Sequence, residues 1–177
     1  KETRAGVLKF IIQAREVGAL IIYDPNFRHP NLHEMEALRP NIEENLKISD
    51  IVRGSHEDFQ LIFNIGSAIE TFEKIREYGN VNLVYTQNSK EVVFISDNVQ
   101  FSLPVPPIKT VSTIGAGDNF NAGLIYSIFR KDLNRQDLLK PVTQTWKQIL
   151  EYGIKFGSHV CQSMDNYISD EYANKNK

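Results

Sequence analysis

The sequence predicts an α/β fold: a doubly wound, mainly parallel sheet with helices on both faces, plus a short antiparallel hairpin. Amphipathic helical segments alternate with short, continuously apolar segments that are typical of buried strands. Several of these apolar segments end in polar residues, as strands do where a ligand binds beyond the carboxyl edge of a sheet. The 177 residues are 41% hydrophobic and 24% charged, a composition typical of one globular domain.

The first elements are a helix and a strand. Apolar residues at helical spacing predict a helix over residues 3–17, and Gly18 ends it. The apolar segment 19–23 predicts a strand that is buried on both faces. The alternation then continues with a helix within residues 33–47, a short strand at 51–52, helical turns over 56–63, and a helix that begins at a Ser67–Glu70 capping box and ends at Gly79.

The second half of the chain adds a hairpin and two long helices. Residues 81–85 predict a strand, and residues 91–96 and 99–103 predict an antiparallel hairpin. Its turn pair, Asp97-Asn98, tolerates positive φ. Pro104, Pro106 and Pro107 predict a stiff segment, which a helix over 116–129 follows. The last helix carries an apolar stripe from Trp146 to Met164, in which Gly153 and Gly157 permit close packing. The polar residues 170–177 are expected to fray.

Charge and composition exclude several classes of function. The 20 basic and 22 acidic side chains give a net charge of −2, which disfavours general binding of nucleic acid. No apolar segment approaches the roughly 20 residues that cross a bilayer, so no membrane partner is expected. A single cysteine, Cys161, forms no internal disulfide, and no secretory leader opens the sequence, so we expect a cytoplasmic protein. The sequence begins with Lys1 instead of Met, and we expect it to be part of a longer protein.

Residues 112–123 carry the most informative pattern. Small residues at Gly115, Ala116 and Gly117 let the backbone approach a ligand closely. The helix that follows directs its unpaired N–H groups and positive dipole end at the same point, which suits a phosphate or an oxyanion. Asp118 lies in the first turn, where it stays ionised and can accept a proton from a bound hydroxyl. Phosphoryl transfer needs these two elements side by side.

Two other strand ends supply candidate polar groups. Asn26 and Arg28 follow the first predicted strand, and an amide with a guanidinium suits anion recognition. Glu57 follows the strand at 51–52, and its carboxylate can hold magnesium through water. The alternative is purely structural, because a Gly-Ala-Gly-Asp sequence also makes an ordinary tight turn before a helix.

These motifs resemble a known family. Gly-Ala-Gly-Asp at 115–118 opens a helix, Asp-x-Asn-x-Arg lies about ninety residues earlier at 24–28, and strands recur between them. The pattern resembles the later portion of a ribokinase-like (PfkB) sugar kinase, roughly over residues 3–165. The Asp-Pro-Asn-Phe-Arg segment is most similar to fructokinases and ketodeoxygluconate kinases.

The resemblance implies transfer of phosphate from ATP to a sugar hydroxyl, with magnesium (Mg²⁺) as cofactor. Fructose is the favoured substrate, and a ketodeoxygluconate or nucleoside kinase is the alternative within the same class. By motif, the resemblance implies that Asp118 is the catalytic base and that the N–H groups of Gly115, Ala116 and Gly117 form the anion hole. It implies that Asn26 and Arg28 contact phosphate and substrate and that Glu57 holds magnesium. The residues implied to contact the nucleotide are Thr86, Asn88 and His159.

The chain also departs from the family pattern. Ser112 stands where the family usually has Asp beside a monovalent-cation site, which leaves dependence on potassium (K⁺) open. Gly54 begins the Gly54-x-x-Glu57 segment where the family has Asn. The nucleotide strand lacks its two usual glycines, and Asn88 is expected to preserve the turn because Asn tolerates positive φ. The glycine-alanine pair expected after the last long helix is replaced by Asp165-Asn166.

The resemblance also implies a missing part. We expect residues 1–177 to form a single α/β nucleotide-binding portion, without the N-terminal portion that carries the substrate contacts and the lid. The family's lids often pair subunits, which leaves a homodimer open. The competing hypothesis is a non-catalytic nucleotide-binding fragment or a degenerate kinase lobe.

Overall fold

The computed structural model describes residues 2–79 and 82–175. In chain order the elements are α1 (Glu2–Glu16), β1 (Ile22–Tyr23), a 3-10 helix (His29–Glu34), α2 (Met35–Ile48), β2 (Ile51–Ser55), α3 (His56–Phe63), α4 (Ala68–Ile75), a 3-10 helix (Arg76–Tyr78), β3 (Asn82–Thr86), β4 (Glu91–Ile95), β5 (Gln100–Pro104), α5 (Ala116–Arg130), α6 (Arg135–Leu139), α7 (Thr143–Val160) and α8 (Asp170–Lys175). Among the described helices, none is both long enough and apolar enough to cross a membrane.

The strands form one five-stranded sheet in the order β1-β2-β3-β4-β5. β1 runs parallel to β2, and β2 runs parallel to β3, with Gly54 opposite Tyr85. Only four residues join β3 to β4, and four join β4 to β5. Connections this short cannot make a parallel crossover, so both of these pairs are antiparallel. The mixed sheet confirms the predicted α/β class and its antiparallel hairpin.

The first strand differs from its prediction. Residues 19–23 were expected to form a strand buried on both faces, but β1 contains only Ile22 and Tyr23, and both are half-buried. Its place at the end of the strand order explains the difference, because β1 has only β2 as a neighbour. In β3, the predicted first residue, Val81, lies outside the described residues.

The hairpin turn also differs in detail. Asp97-Asn98 was predicted as a turn pair that tolerates positive φ, and in the structure neither residue adopts it. The turn is closed instead by the Ser96 N–H, which donates to the Val99 carbonyl at 2.9 Å, and by the Val99 N–H, which donates to the Ser96 hydroxyl at 3.1 Å. Strand β5 continues to Pro104, which an edge strand tolerates at its end.

The described chain divides into two compact units. Unit 1 comprises the described residues up to Asn88, together with Val93–Ser102 and Asn134–Pro141. Within it, half-buried Arg135 forms an ion pair with buried Asp50 at 2.8 Å. The single-domain organisation stays a prediction. The apolar core of unit 1 consists of Phe27, Met35, Ile42, Leu46, Val52, Phe59, Ile62, Ala68, Phe72, Ile75, Leu83, Tyr85, Val93 and Ile95.

Unit 2 comprises Ser89–Val92, Leu103–Leu133 and the described residues from Val142 onward. Helices α5 and α7 lie so close in it that a Cβ on Gly123 would be 2.3 Å from the Tyr152 carbonyl oxygen. A Cβ on Gly153 would be 2.9 Å from the Phe120 ring. The close packing predicted for the glycines of the last long helix is therefore confirmed.

The C-terminal residues correct another prediction. Residues 170–177 were expected to fray, but Asp170–Lys175 form α8, and residues 176–177 lie outside the described residues. The Ser169 hydroxyl accepts a hydrogen bond from the Tyr172 N–H at 3.3 Å, at the start of this helix. Tyr172 also packs its ring against Phe156 and His159 of α7, which gives the polar segment an apolar anchor.

Candidate functional site

The turn that opens α5 has a backbone shape that requires glycine. Gly115 caps the helix with φ 78° and ψ −2°, in the left-handed region. A Cβ at this position would lie 2.8 Å from the carbonyl oxygen of Asn166. Both the conformation and the space therefore exclude larger side chains at Gly115.

The N–H groups of this turn are not all equivalent. The Ala116 N–H donates to the Thr113 carbonyl at 3.2 Å. Within the described residues, the N–H groups of Gly115 and Gly117 have no protein acceptor. Asp118 lies in the first turn of α5 and is exposed. The turn therefore presents two backbone donors and one solvent-accessible carboxylate, while the third predicted donor is engaged.

Sequence reasoning missed Asn119, which is 8% exposed. Its side-chain Nδ2 donates to the carbonyl oxygens of Gly115 and Asn166, both at 2.9 Å. The amide thus ties the turn to the segment that follows α7. No local sequence signal marks this role, because Asn166 is 47 residues away along the chain.

Ser112 lies just before this turn. Its hydroxyl accepts a hydrogen bond from the Ile114 N–H at 3.2 Å, and its own N–H donates to the Cys161 carbonyl at 3.3 Å. The Cys161 thiol is half-buried, and burial raises its pKa. The two hydrogen bonds of Ser112 hold the segment that precedes the turn, and its neutral hydroxyl adds no negative charge there.

A cavity of about 500 Å³ opens in unit 2. His159 lies in its wall, and the imidazole stacks on the Tyr172 ring with centroids 3.7 Å apart. Its apolar and aromatic lining, with a few polar groups, suits a flat organic ligand. The lining residues are Leu103, Pro104, Pro106, Glu151, Ile154, Lys155, Ser158, His159, Gln162 and Tyr172.

In unit 1, hydrogen bonds tie together the ends of three strands. Arg53, 9% exposed in β2, donates to the Asp24 carboxylate at 2.8 Å and to the Thr86 hydroxyl at 3.3 Å. The Asp24 carboxylate also accepts the N–H of Asn26 at 3.1 Å. Asn26 has φ 43° and is exposed, as is Arg28. The guanidinium of Arg53 thus holds the strand end from which Asn26 and Arg28 project.

Three residues of predicted interest lie at the C-terminal ends of β2 and β3 or just after them: Gly54, Thr86 and Asn88. Asn88 has φ 50°, which confirms that an asparagine supplies the left-handed turn after β3. The Thr86 hydroxyl donates to the Gly54 carbonyl at 3.4 Å and is buried. Gly54 itself is closely packed, since a Cβ there would lie 2.6 Å from the Phe59 ring.

The start of α3 carries two carboxylates in different settings. Glu57 is exposed, whereas Asp58 is 5% exposed and accepts the Phe27 N–H and the Ser55 N–H, both at 2.7 Å. Ser55 and Asp58 form a reciprocal capping box. The Ser55-x-x-Asp58 spacing is visible in the sequence. It lies one residue after the Gly54-x-x-Glu57 segment that contains the predicted magnesium ligand, Glu57.

The predicted site residues fall in both units. Of the predicted site residues, the exposed acid Glu57 lies in unit 1 and the exposed acid Asp118 lies in unit 2. Among the described residues, no group of three or more His, Cys, Asp or Glu side chains forms a metal cage. Unit 1 contains Asn26, Arg28, Glu57, Thr86 and Asn88, and unit 2 contains Gly115, Ala116, Gly117, Asp118 and His159.

Comparison with known proteins places the chain among kinases. The model of the pfkB family of carbohydrate kinases matches residues 1–171. The chain is 26% identical over 133 residues to 5-dehydro-2-deoxygluconokinase of Clostridium beijerinckii, covering 71% of this chain and 39% of that protein. It is 30% identical over 128 residues to fructokinase-2 of Solanum habrochaites, covering 71% of this chain and 38% of that protein. The chain thus spans less than half the length of these relatives.

Solved structures share the fold. The ATP-bound fructokinase from Xylella fastidiosa superposes with a TM-score of 0.82 at 17% identity, over 92% of this chain and 52% of that chain. Aminoimidazole riboside kinase from Salmonella enterica gives a TM-score of 0.77 at 19% identity, over 95% of this chain and 55% of that chain. At these identities the likeness shows the fold alone, and it is the ribokinase-like α/β fold that the sequence predicts.

Proposed function

Because the chain belongs to the pfkB family of carbohydrate kinases, we propose that its protein transfers phosphate from ATP to a sugar hydroxyl. The observation that carries the proposal is the opening of α5, where left-handed Gly115 turns the chain and the exposed carboxylate of Asp118 follows in the first helical turn. A base and a set of backbone donors beside it are the two groups that phosphoryl transfer to an alcohol requires.

In this proposal Asp118 accepts the proton of the attacking hydroxyl. The N–H groups of Gly115 and Gly117 are oriented by the turn and stabilise negative charge on the transferred group. The Ala116 N–H joins them only if it releases the Thr113 carbonyl, to which it donates at 3.2 Å. Asn26 and Arg28 add an amide and a guanidinium for the phosphates and the sugar.

Two sets of residues are candidates for contact with the nucleotide. The cavity of unit 2, with His159 and Tyr172 in its wall, has the volume and aromatic lining for the base of ATP. Thr86 and Asn88 in unit 1 are proposed to contact the nucleotide as well, and the left-handed turn at Asn88 supports a close approach of backbone there.

The carboxylate of Glu57 suits a magnesium ion. An ion held mainly by phosphates and water needs only one or two protein carboxylates. Glu57 is exposed at the start of α3, whereas the carboxylate of Asp58 is occupied by three donors from Phe27 and Ser55. We therefore assign a water-mediated role to Glu57. When bound, Mg²⁺ would neutralise charge on the phosphates of ATP.

We propose two sugars as the main candidate substrates. Fructose is favoured, because the Asp-Pro-Asn-Phe-Arg segment resembles fructokinases and the plant fructokinase is 30% identical to this chain. The second candidate is 5-dehydro-2-deoxygluconate, which the relative from Clostridium beijerinckii supports at 26% identity. A nucleoside kinase is the third possibility.

The protein is expected to act in the cytoplasm.

The test is ATP turnover with Mg²⁺ against fructose, 5-dehydro-2-deoxygluconate, ribose and adenosine. It uses the product of the complete coding sequence beside the 177-residue chain. Selective phosphorylation of one sugar supports a kinase and identifies its substrate. ATP binding without turnover on any substrate would overturn the proposal and favour a non-catalytic nucleotide-binding module. Repeating the assay in potassium-free buffer determines whether K⁺ is required.

A further inference from the structure

We propose that Asn119 is a positioning residue for phosphoryl transfer, which holds the Gly115–Ala116 peptide group in the orientation that the reaction needs. The inference rests on the proposed function and extends it to a residue outside the motif. The observation is that one buried side-chain amide donates to two backbone carbonyls, those of Gly115 and Asn166, at 2.9 Å each.

The peptide group between Gly115 and Ala116 is fixed at both of its polar ends. Its carbonyl oxygen accepts from the backbone N–H of Asn119 at 2.9 Å and from the side-chain Nδ2 of the same residue at 2.9 Å. Its N–H donates to the Thr113 carbonyl at 3.2 Å. Because a peptide group is planar, fixing the oxygen also fixes the direction of the N–H and limits the torsions of the neighbouring Gly115 and Gly117 groups.

The second acceptor explains why a side chain is needed. The Asn166 backbone lies against Gly115 so closely that a Cβ on the glycine would be 2.8 Å from the Asn166 oxygen. Two carbonyl oxygens that converge repel each other unless a donor lies between them. The Nδ2 of Asn119 carries two hydrogens and donates one to each oxygen. Asn119 therefore holds the turn and the segment after α7 at a fixed separation.

This arrangement predicts an effect on catalysis that exceeds any effect on folding. A turn that loses its clamp still forms, because helix α5 and the Asn119 backbone bond remain. Its donors, however, no longer meet the transferring phosphate in one orientation, and displacement by about 1 Å can cost about 100-fold in rate. Binding of ATP and sugar depends on other groups and changes little.

The experiment compares Asn119→Ala and Asn119→Asp with the wild-type protein, as the product of the complete coding sequence. The aspartate variant keeps the size of the side chain, but as a carboxylate it cannot donate to either carbonyl. Ser127→Ala is the matched control, because Ser127 is buried in the same helix and its hydroxyl has no hydrogen-bond partner among the described residues. Two quantities are measured: kcat with both KM values, and the hydrogen-exchange rate of the Ala116 amide by NMR.

The proposal expects both Asn119 variants to lose about 10- to 100-fold in kcat with KM values within about twofold of wild type, and to exchange the Ala116 amide at least about tenfold faster. Ser127→Ala should change neither quantity. Unchanged kcat or unchanged exchange in the Asn119 variants would overturn the proposal, as would a loss that Ser127→Ala shares. If the wild type phosphorylates no sugar, the proposed function fails, and the exchange rate of Ala116 alone then decides whether Asn119 clamps the turn.

Discussion

The ring of Tyr172 lies nearly parallel to the imidazole of His159, with centroids 3.7 Å apart and planes inclined by 20°. Tyr172 belongs to α8, whose other residues are polar or small, and the packing of its ring on His159 and Phe156 attaches the short helix to α7. Burial raises the pKa of the Tyr172 phenol, so it stays neutral throughout the physiological range. The stack forms part of the wall of the cavity proposed for the ATP base.

Replacing Tyr172 by alanine tests that wall. We expect Tyr172→Ala to weaken ATP binding about 3- to 10-fold, because aromatic packing contributes about 0.5–1.5 kcal/mol beyond the area that it buries. Isothermal titration calorimetry with ATP measures the change. Tyr172→Phe is the control, since it keeps the ring and removes the hydroxyl that donates to the Lys155 carbonyl at 3.4 Å. Equal affinities for all three proteins would place the base elsewhere.

Asp118→Asn tests the proposed base. We expect kcat to fall by about 10²- to 10⁴-fold, because an amide cannot accept the hydroxyl proton, while the affinity for ATP stays within a few-fold of wild type. Steady-state kinetics and calorimetry measure the two quantities. Asp132→Asn is the control, two residues beyond the C-terminal end of the same helix, where φ is 51° and asparagine is tolerated. An Asp118→Asn enzyme with normal turnover would exclude Asp118 as the base.

Gly115→Ala tests the left-handed cap. We expect a loss of about 1–3 kcal/mol in the free energy of unfolding, because the new Cβ adds steric contact to an unfavourable φ of 78°. Turnover should fall as well, since the turn must shift. Gly6→Ala is the control with the opposite sign. Gly6 lies inside α1 with nothing within 4 Å of a Cβ, so alanine should stabilise the protein by about 0.5–1 kcal/mol. Urea denaturation measures both, and equal shifts would contradict the argument.

The two acids at the start of α3 should separate metal use from stability. We expect Glu57→Gln to raise the Mg²⁺ concentration for half-maximal activity and to leave the melting temperature unchanged, because its side chain is exposed. Asp58→Asn should lower the melting temperature, because it weakens the contacts to Phe27 and Ser55 and breaks the capping box. Thermal melts and magnesium titrations measure the two effects. The assignment fails if the effects of the two substitutions are exchanged.

Local patterns were sufficient to predict much of the fold. The Gly-Ala-Gly-Asp start of α5, the Ser67 cap of α4 and the left-handed turn at Asn88 depend on residues close in sequence, and the structure contains all three. The close contacts of the α7 glycines were predictable because glycines at helical spacing on one face of a helix allow a second helix to pack closely.

The missed features depend on distant partners. Asn119 gains its second acceptor from Asn166, and α8 forms because Tyr172 reaches His159 and Phe156, none of which follows from periodicity. The overlong prediction for β1 has a similar cause, because an apolar segment does not reveal whether its strand has neighbours on one side or on two.

The glycine-lined crossing of α5 and α7 has a mechanical consequence. Gly123 meets the Tyr152 backbone and Gly157 meets the Ala116 carbonyl oxygen, so main chain lies close to main chain at these two points, and between them Gly153 packs on the Phe120 ring. Packing this close leaves little room for the helices to slide past each other, so we expect α5 and α7 to move together as one rigid pair. The turn at Gly115 begins α5 and is expected to move with this pair, so any conformational change in the proposed kinase reaction is expected elsewhere in the protein.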